Sequence, residues 1–316
     1  MIVLNMIVKN EAHCIERCIK SVLPYVDAAV IVDTGSTDGT QELLSGLLWE
    51  KEHAVYNEEW VNFGINRTQA FWKAVDIYQW IAPASYAFIM DADEEFLPGP
   101  GFEMPRKLDC AGYAMWQAQG GMRHLYPRLL RLDKPWVFQG AVHEYAELLD
   151  PDPKRGVIDN CTVTGHFDSA RNKDGRSKYL QDARAMENLP ATPRNVFYKA
   201  RCYEGAGEHL IALQYYQQRA QMDGYEEETY LARIGIARME QLTFARPSVV
   251  ARAYEAAYHF RPSRAEAPYY LATFCKQRGH HAADYWFMVA AQIPMTTDQL
   301  FVDTAAYSIN QTKTCH

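Results

Sequence analysis

Tyr86-Ala87-Phe88-Ile89-Met90-Asp91-Ala92-Asp93 is an apolar run that ends in two acids. Apolar runs of this length suit a strand covered on both faces. The acids then fall just past its C-terminal edge, where open α/β sheets bind ligands. Carboxylates at i and i+2 can both face one hard cation, or one can face the cation and the other a ligand hydroxyl. A plain surface turn is the alternative, since Asp is a common turn residue. The preceding residues tip the balance towards a site.

Met1–Val8 is apolar and too short to cross a bilayer, so it reads as a first buried strand. After Lys9-Asn10-Glu11 a helix runs to about Leu23, with Ile15, Ile19, Val22 and Leu23 on one face, and Pro24 closes it. Ala28–Val32 reads as the second strand. It runs into Asp33-Thr34-Gly35-Ser36-Thr37-Asp38-Gly39-Thr40, a turn dense in hydroxyls, acids and Gly. Such a turn offers N–H groups and short oxygen side chains to a polar ligand, and it also caps the next helix. That helix is expected over about 40–49, and a third strand over Ala54–Tyr56. Asn62-Phe63-Gly64-Ile65-Asn66-Arg67 opens a further helix through Ala70, Phe71, Ala74 and Ile77. This β-α-β-α-β-α-β alternation argues for a parallel sheet with helices on both faces.

Past Asp93 the alternation stops. Residues 96–107 read as a Pro/Gly loop, followed by strand-like runs at Gly112–Ala118, His124–Leu132, Trp136–Leu149 and Val157–His166. The pair His143-Glu144 lies inside the third run, an unusual place for a charged residue. From about Lys178 everything reads as helix. Tyr198-Lys199-Ala200, Tyr230-Leu231-Ala232 and Tyr270-Leu271-Ala272 recur 32 and then 40 residues apart. Each is followed by a second helix with small and aromatic residues at nesting positions: Ala212/Tyr216/Ala220, Val250/Tyr254/Ala257 and Ala283/Phe287/Ala290. Hairpins of this kind bury their apolar faces only by stacking, and they resemble degenerate tetratricopeptide repeats. Tyr254 and Phe287 are expected to be buried. The reading is an α/β domain over 1–175 and an all-α repeat domain over 176–316.

Composition narrows the function. A net charge of −7 argues against a general nucleic-acid coat. Seven scattered cysteines without Cys-x-x-Cys point to a reducing, cytoplasmic compartment. Cys14 and Cys18, with His13 alongside, lack the further ligands of a zinc site and read as buried thiols. No segment is long and apolar enough to span a membrane.

Taken together, Ile7-Val8-Lys9-Asn10-Glu11, the 32–40 turn, Asn62–Arg67 and Met90-Asp91-Ala92-Asp93-Glu94 resemble the family 2 glycosyltransferases of the GT-A fold, over roughly residues 1–170. Gly140-Ala141-Val142-His143-Glu144 and the repeat tail resemble the members that carry helical repeats. The resemblance implies a GT-A nucleotide-sugar-binding domain, Rossmann-like with a mostly parallel sheet. It also implies a nucleotide-sugar donor, UDP by family habit, and a divalent cation, Mn2+ or Mg2+. By resemblance, Asn10, Glu11 and Asp33, with the Ser36 turn, surround the nucleoside. Arg67 faces the diphosphate, Asp91 touches donor ribose or sugar, and Asp93 and His166 hold the metal. An inverting transfer needs one base near the acceptor. The family's Glu-Asp pair is missing after residue 93, so Glu144 takes that role, with His143 as the other candidate. The acceptor stays open between peptide or protein, glycan and a nucleic-acid base. Arg123, Arg128, Arg131, Arg155, Arg171 and Arg176 are candidates to line one groove. The repeats suit an acceptor platform or a homodimer. Two other classes compete: a nucleotidyltransferase using the same acidic site, and a non-enzymatic repeat scaffold with a degenerate front domain. The first lacks its Gly-rich basic loop after strand one, and the second leaves Asp33, Arg67, Asp91 and Asp93 unexplained.

Overall fold

A computed structural model describes residues 1–81, 84–105, 107–150 and 154–308. The chain forms two compact units, one of Met1–Gln119 with Leu125–Lys173, the other of Gly120–His124 with the described residues from Asp174 onward.

The first unit is a mixed sheet flanked by helices. Its elements are β1 (Ile2–Val8), α1 (Ile15–Val22), β2 (Ala28–Asp33), α2 (Thr40–Leu47), β3 (Glu52–Asn57), α3 (Phe63–Tyr78), β4 (Tyr86–Ile89), β5 (Glu94–Pro98), β6 (Gly112–Gln119), β7 (Met122–Arg131), β8 (Trp136–Gln139), β9 (Tyr145–Leu148) and β10 (Arg155–Gly165). The strand order is β3-β2-β1-β4-β7-β6-β10-β5, with β8 and β9 as a separate hairpin. The first four strands are parallel. Their residues alternate between two layers. Leu4, Met6 and Val8 of β1 pack with α1 and α2 through Ile15, Ile19 and Leu44, while Val3 faces Phe71, Ala74 and Tyr78 of α3. Burial on both faces is why β1, β4 and β2 up to its terminal Asp33 are apolar, while the edge strand β3 is more exposed and carries Glu52 and His53. Asn5 is the exception, and its Nδ2 donates to Val30 O (3.2 Å) and Ala70 O (2.8 Å). The parallel register sets Val8 beside Asp33 and Asn5 beside Ile89. The C-terminal ends of β1, β2 and β4 therefore share one edge.

Two sequence expectations need correction here. Residues 94–98 are strand β5, antiparallel to β10, where a loop from 96 was expected. The run Trp136–Leu149 is not one strand. Gly140 (φ +101°) and His143 (φ +52°) break it into the β8–β9 hairpin, so His143 and Glu144 lie in its connecting loop.

The second unit holds α4 (Gly175–Ala185), α5 (Pro193–Gly205), α6 (His209–Ala220), α7 (Glu226–Leu242), α8 (Pro247–Phe260), α9 (Glu266–Gln277), α10 (Ala282–Gln292) and the two-residue β11 (Val302–Asp303). Helices α5 to α10 are three successive hairpins, and they carry the repeated Tyr198, Tyr230 and Tyr270 on their first members. Tyr254 is buried, whereas Phe287 is only half-buried and meets Tyr269 edge-on at 6.0 Å. Among the described residues no further hairpin follows this last one. Nor is everything after Lys178 helical. Residues 298–303, bent at Leu300 and the left-handed Phe301, run along the first helices: Glu227 accepts from the N–H groups of Gln299 and Leu300 (2.9 and 2.7 Å), Arg201 lies over the Phe301 ring (4.1 Å), and Tyr270 donates to Asp303 (2.6 Å). Asp298 binds Arg261 through both oxygens (2.6 Å each) and Arg264 at 3.1 Å.

Candidate active site

The site is assembled at the shared edge of β1, β2 and β4. Asp33 ends β2 and is fully buried. Its Oδ1 accepts from the N–H groups of Gly35 and Ser36, both at 2.7 Å. Its Oδ2 is buried with no hydrogen-bond partner in the structure. A buried, unsatisfied acceptor is costly, so this oxygen calls for a donor from outside the chain. Asn10, left-handed at φ +58°, and Ser36 stitch the first two loops together. Asn10 Oδ1 accepts from Thr37 N (2.8 Å), and Asn10 N–H donates to Ser36 Oγ (2.9 Å). Both residues brace the cleft wall through these atoms.

Glu11 is buried beside them. Its Oε2 accepts from the Cys14 thiol and from Ala170 N–H, each at 3.2 Å. Burial pushes its carboxyl above the ordinary range, against these two bonds. Burial likewise pushes the Cys14 and Cys18 thiols up. Cys18 donates to Asp91 O at 3.2 Å. Both cysteines are thus buried thiols, as expected. Ligand atoms of Glu11, His13 and Cys14 do lie within 4.8 Å of one another.

Arg67 sits in the first turns of α3, which Asn62 caps by accepting from Ile65 N–H at 2.9 Å. Its guanidinium is buried and forks between two acids. Nη2 donates to Asp91 Oδ1 and Nε to Glu144 Oε1, both at 2.5 Å. Burial works against its charge, but Asp91 and Glu144 outweigh it and raise its pKa well above the ordinary value. Glu144 reaches Arg67 because Gly64 lets the loop after β8 touch the helix. A Cβ on Gly64 would clash with the Gly140 carbonyl and lie 2.8 Å from Phe138 O. Phe63 N–H donates to Ala141 O (3.3 Å), and Thr68 Oγ1 accepts from Phe138 N–H (2.9 Å).

Asp93 follows at the turn after β4. Burial, then Asp91, raise its carboxyl pKa, while hydrogen bonds from Ser169 pull the other way. Two mutually repelling carboxylates on one turn suit a divalent cation, which would relieve the repulsion. Asp91, Asp93, Arg67 and Glu144 thus form one neighbourhood. His166 joins it by its backbone, donating N–H to Asp93 O (3.1 Å), but its ring nitrogen lies 2.8 Å from Glu95 Oε2.

Sequence reasoning gave Glu94 no role of its own and named only Arg171 from the segment 168–171. Asp168 pairs with Arg17 at 2.8 Å, and Arg171 lies over the Phe63 ring at 4.5 Å. No sequence spacing ties 168–171 to the β1–α1 turn; only the topology does. The expected arginine groove also needs revision. Arg128 is buried and paired with Glu94, Arg131 is turned to Asp133, Arg155 lies over Trp136, and Arg176 pairs with Glu208.

Known proteins bear on this geometry. The model of the family described as Glycosyl transferase family 2 matches residues 4–104, the stretch from β1 past β5. This part of the chain is similar to the family 2 glycosyltransferases, and the helical part is similar to tetratricopeptide repeats. A TPR repeat-containing protein of Synechococcus elongatus is 32% identical over 152 residues, 46% of this chain and 35% of that protein. The chain spans about a third of that relative's length. Among solved structures, S. aureus TarS 1–349 overlaps 88% of this chain and 92% of its own, at 10% identity and a TM-score of 0.35. PcrH, in complex with the chaperone binding region of PopB, overlaps 40% of this chain and 94% of its own, at 16% identity and a TM-score of 0.31. Such scores carry no argument. Among the described residues no helix is long and apolar enough to cross a membrane.

Proposed function

We propose that the chain is a glycosyltransferase that moves a sugar from a nucleotide diphosphate sugar to an acceptor, dependent on a divalent cation. The observation that carries this is Arg67, buried and forked between Asp91 and Glu144 at 2.5 Å each. It ties the strand-end acid of the donor site to the acid from the β8–β9 loop. In this reading Asp33 Oδ2 takes a hydrogen bond from the nucleoside, uridine by family resemblance, with Asn10, Glu11 and Ser36 shaping the cleft. Asp91 meets donor ribose or sugar. Asp93 would hold Mn2+ or Mg2+, hard cations that need only one or two protein carboxylates beside a diphosphate. His166, tethered to the Asp93 carbonyl, would be the second protein ligand if its ring turned from Glu95. When bound, the cation would supply charge stabilisation for the diphosphate leaving group. Arg67 acts at one remove, because its fork is already used by two carboxylates.

Glu144 is the base for an inverting transfer, with Oε2 taking the proton of the acceptor hydroxyl or thiol while Oε1 stays on Arg67. His143, its neighbour in the same loop, is the alternative. The helical repeats serve to position a peptide, glycan or nucleic-acid acceptor, or to pair two copies. The test is a panel of nucleotide sugars incubated with and without Mn2+, reading free nucleotide diphosphate, free sugar and pyrophosphate. Cation-dependent release of nucleoside diphosphate from one donor supports the reading. Release of pyrophosphate from a nucleoside triphosphate plus sugar phosphate would replace it with nucleotidyl transfer.

A further inference from the structure

We propose that Glu94 and Arg128 are positioning residues for the cation site, a buried ion pair that fixes the Asp91–Asp93 turn. This rests on the reading above. Glu94 is the first residue of β5 and is 3% exposed, and Arg128 on β7 is 2% exposed. Every polar reach of the pair goes to the turn or its supports. Glu94 Oε2 accepts from Asp91 N–H at 2.8 Å and from Arg128 Nη1 at 2.7 Å. Oε1 accepts from Arg128 Nη2 at 2.6 Å and Gln117 Nε2 at 2.9 Å. Arg128 Nη1 also donates to Ile89 O, the last carbonyl of β4, at 2.9 Å. Glu94 N–H closes the turn onto Asp91 O at 3.1 Å. The four residues 91–94 are thus held by side chain in one direction and by backbone in the other.

Stability alone does not call for this pair. Two charges taken out of water are costly, and a well-packed apolar pair of similar volume is commonly as stable or more so. What an apolar pair cannot supply is an acceptor for Asp91 N–H or a positive charge against three acids in four residues. Arg128 balances Glu94, as Arg67 balances Asp91. The turn can then keep its acids together at the geometry a cation demands. Partners behind a metal ligand commonly matter about 10–100-fold in affinity.

The experiment uses the full chain, with Mn2+ and uridine diphosphate as the probe. Free Mn2+ is read by electron paramagnetic resonance and thermal stability is read in parallel. Arg128→Lys keeps the charge but loses the fork; Glu94→Gln keeps the shape but loses the charge. Each is expected to raise the half-saturating Mn2+ concentration by about 10–100-fold. Met115→Ala, a buried core change on β6, should lower the melting temperature and leave Mn2+ binding alone. The apolar double variant Glu94→Leu with Arg128→Met should recover stability without recovering Mn2+ affinity. Wild-type Mn2+ binding in folded Arg128→Lys or Glu94→Gln would overturn the proposal. So would an equal loss in Met115→Ala, which would make the effect one of general stability. A wild-type chain that binds no Mn2+ with the nucleotide would overturn the cation reading itself, and this inference with it.

Discussion

Arg67 Nε lies 2.5 Å from Glu144 Oε1, joining residues 77 positions apart in the sequence, and both side chains are about nine-tenths buried. Removing one partner of a buried pair strands the other charge, at a cost of about 3–5 kcal/mol. Arg67→Met should therefore lose stability on this scale, read as a fall in the denaturation midpoint. Glu144→Gln keeps an oxygen for Arg67 and should lose much less. Transfer should nevertheless fall by about 10²–10⁴-fold in Glu144→Gln, the range for a lost general base, with donor binding little changed. Near-normal transfer in Glu144→Gln with a dead His143→Ala would exchange the two roles.

Gly64 tests the same relationship through the backbone. An Ala there gains about 1 kcal/mol of helix propensity. It also puts a Cβ against the Gly140 and Phe138 carbonyls, and forced repacking costs about 1–3 kcal/mol. The clash should win, because the atoms met are backbone. Gly64→Ala is expected to be less stable and to lose transfer more than donor hydrolysis, since the loop it displaces carries Glu144. A more stable, fully active variant would refute the role of this contact.

Asp93 links stability to the cation. Its folded pKa is raised by burial and then by Asp91, so its ionised form is disfavoured in the ligand-free fold. The stabilisation tied to its protonated form is complete below the unfolded carboxylate range, about 3.9, and is lost as pH rises through the raised folded value. Asp93→Asn should consequently melt no lower than wild type at neutral pH. The same variant should lose Mn2+-dependent donor hydrolysis. In the wild type, cation affinity should weaken on acidification at a pH above the ordinary carboxylate range, as measured by Mn2+ titration across pH. Full hydrolysis by Asp93→Asn in excess chelator would remove Asp93 from the cation site.

Much of the first unit was legible because β1, β2 and β4 are buried on both faces and declare themselves as unbroken apolar runs. The Asp-x-Asp at the end of β4 was legible for the same reason. β5 was not, because it opens with Glu94-Glu95, and a buried acid reads as solvent until its partner Arg128, 34 residues on, is seen. His143 and Glu144 were found as residues but set in the wrong element. The hydrophobic alternation of 136–148 continues through a hairpin whose break is a matter of left-handed backbone at Gly140 and His143. In the second unit small and aromatic spacing located Tyr254. It overstated Phe287, because among the described residues no further hairpin packs onto the last one.

That difference is measurable. Tyr254→Ala empties a fully packed position and should cost about 3–5 kcal/mol. Phe287→Ala should cost clearly less, since its side chain is only partly buried. Equal losses would mean that the outer face of α10 is covered in solution.

Asp298 gives the sharpest test of the helical unit, because sequence periodicity says nothing of it. It lies beyond the last helix, yet it is 6% exposed and meets both Arg261 and the fully buried Arg264. Burial works against its charge, but the two guanidinium groups outweigh it and hold its pKa below the ordinary range. A depressed folded pKa contributes stability that is present above the unfolded value, about 3.9, and is lost as pH falls through the folded one. Asp298→Ala should destabilise at neutral pH by less than the about 3–5 kcal/mol of a stranded buried charge, because Arg264 keeps Glu266 and Arg261 keeps Glu226. Since the loss in wild type is itself complete at low pH, the gap between wild type and variant should narrow below about pH 4. Thermal unfolding followed by helical circular dichroism at several pH values reads this directly. A gap that stays constant as pH falls would show that Asp298 acts through packing, and that the charge of the 298–303 segment is not what holds it to the repeats.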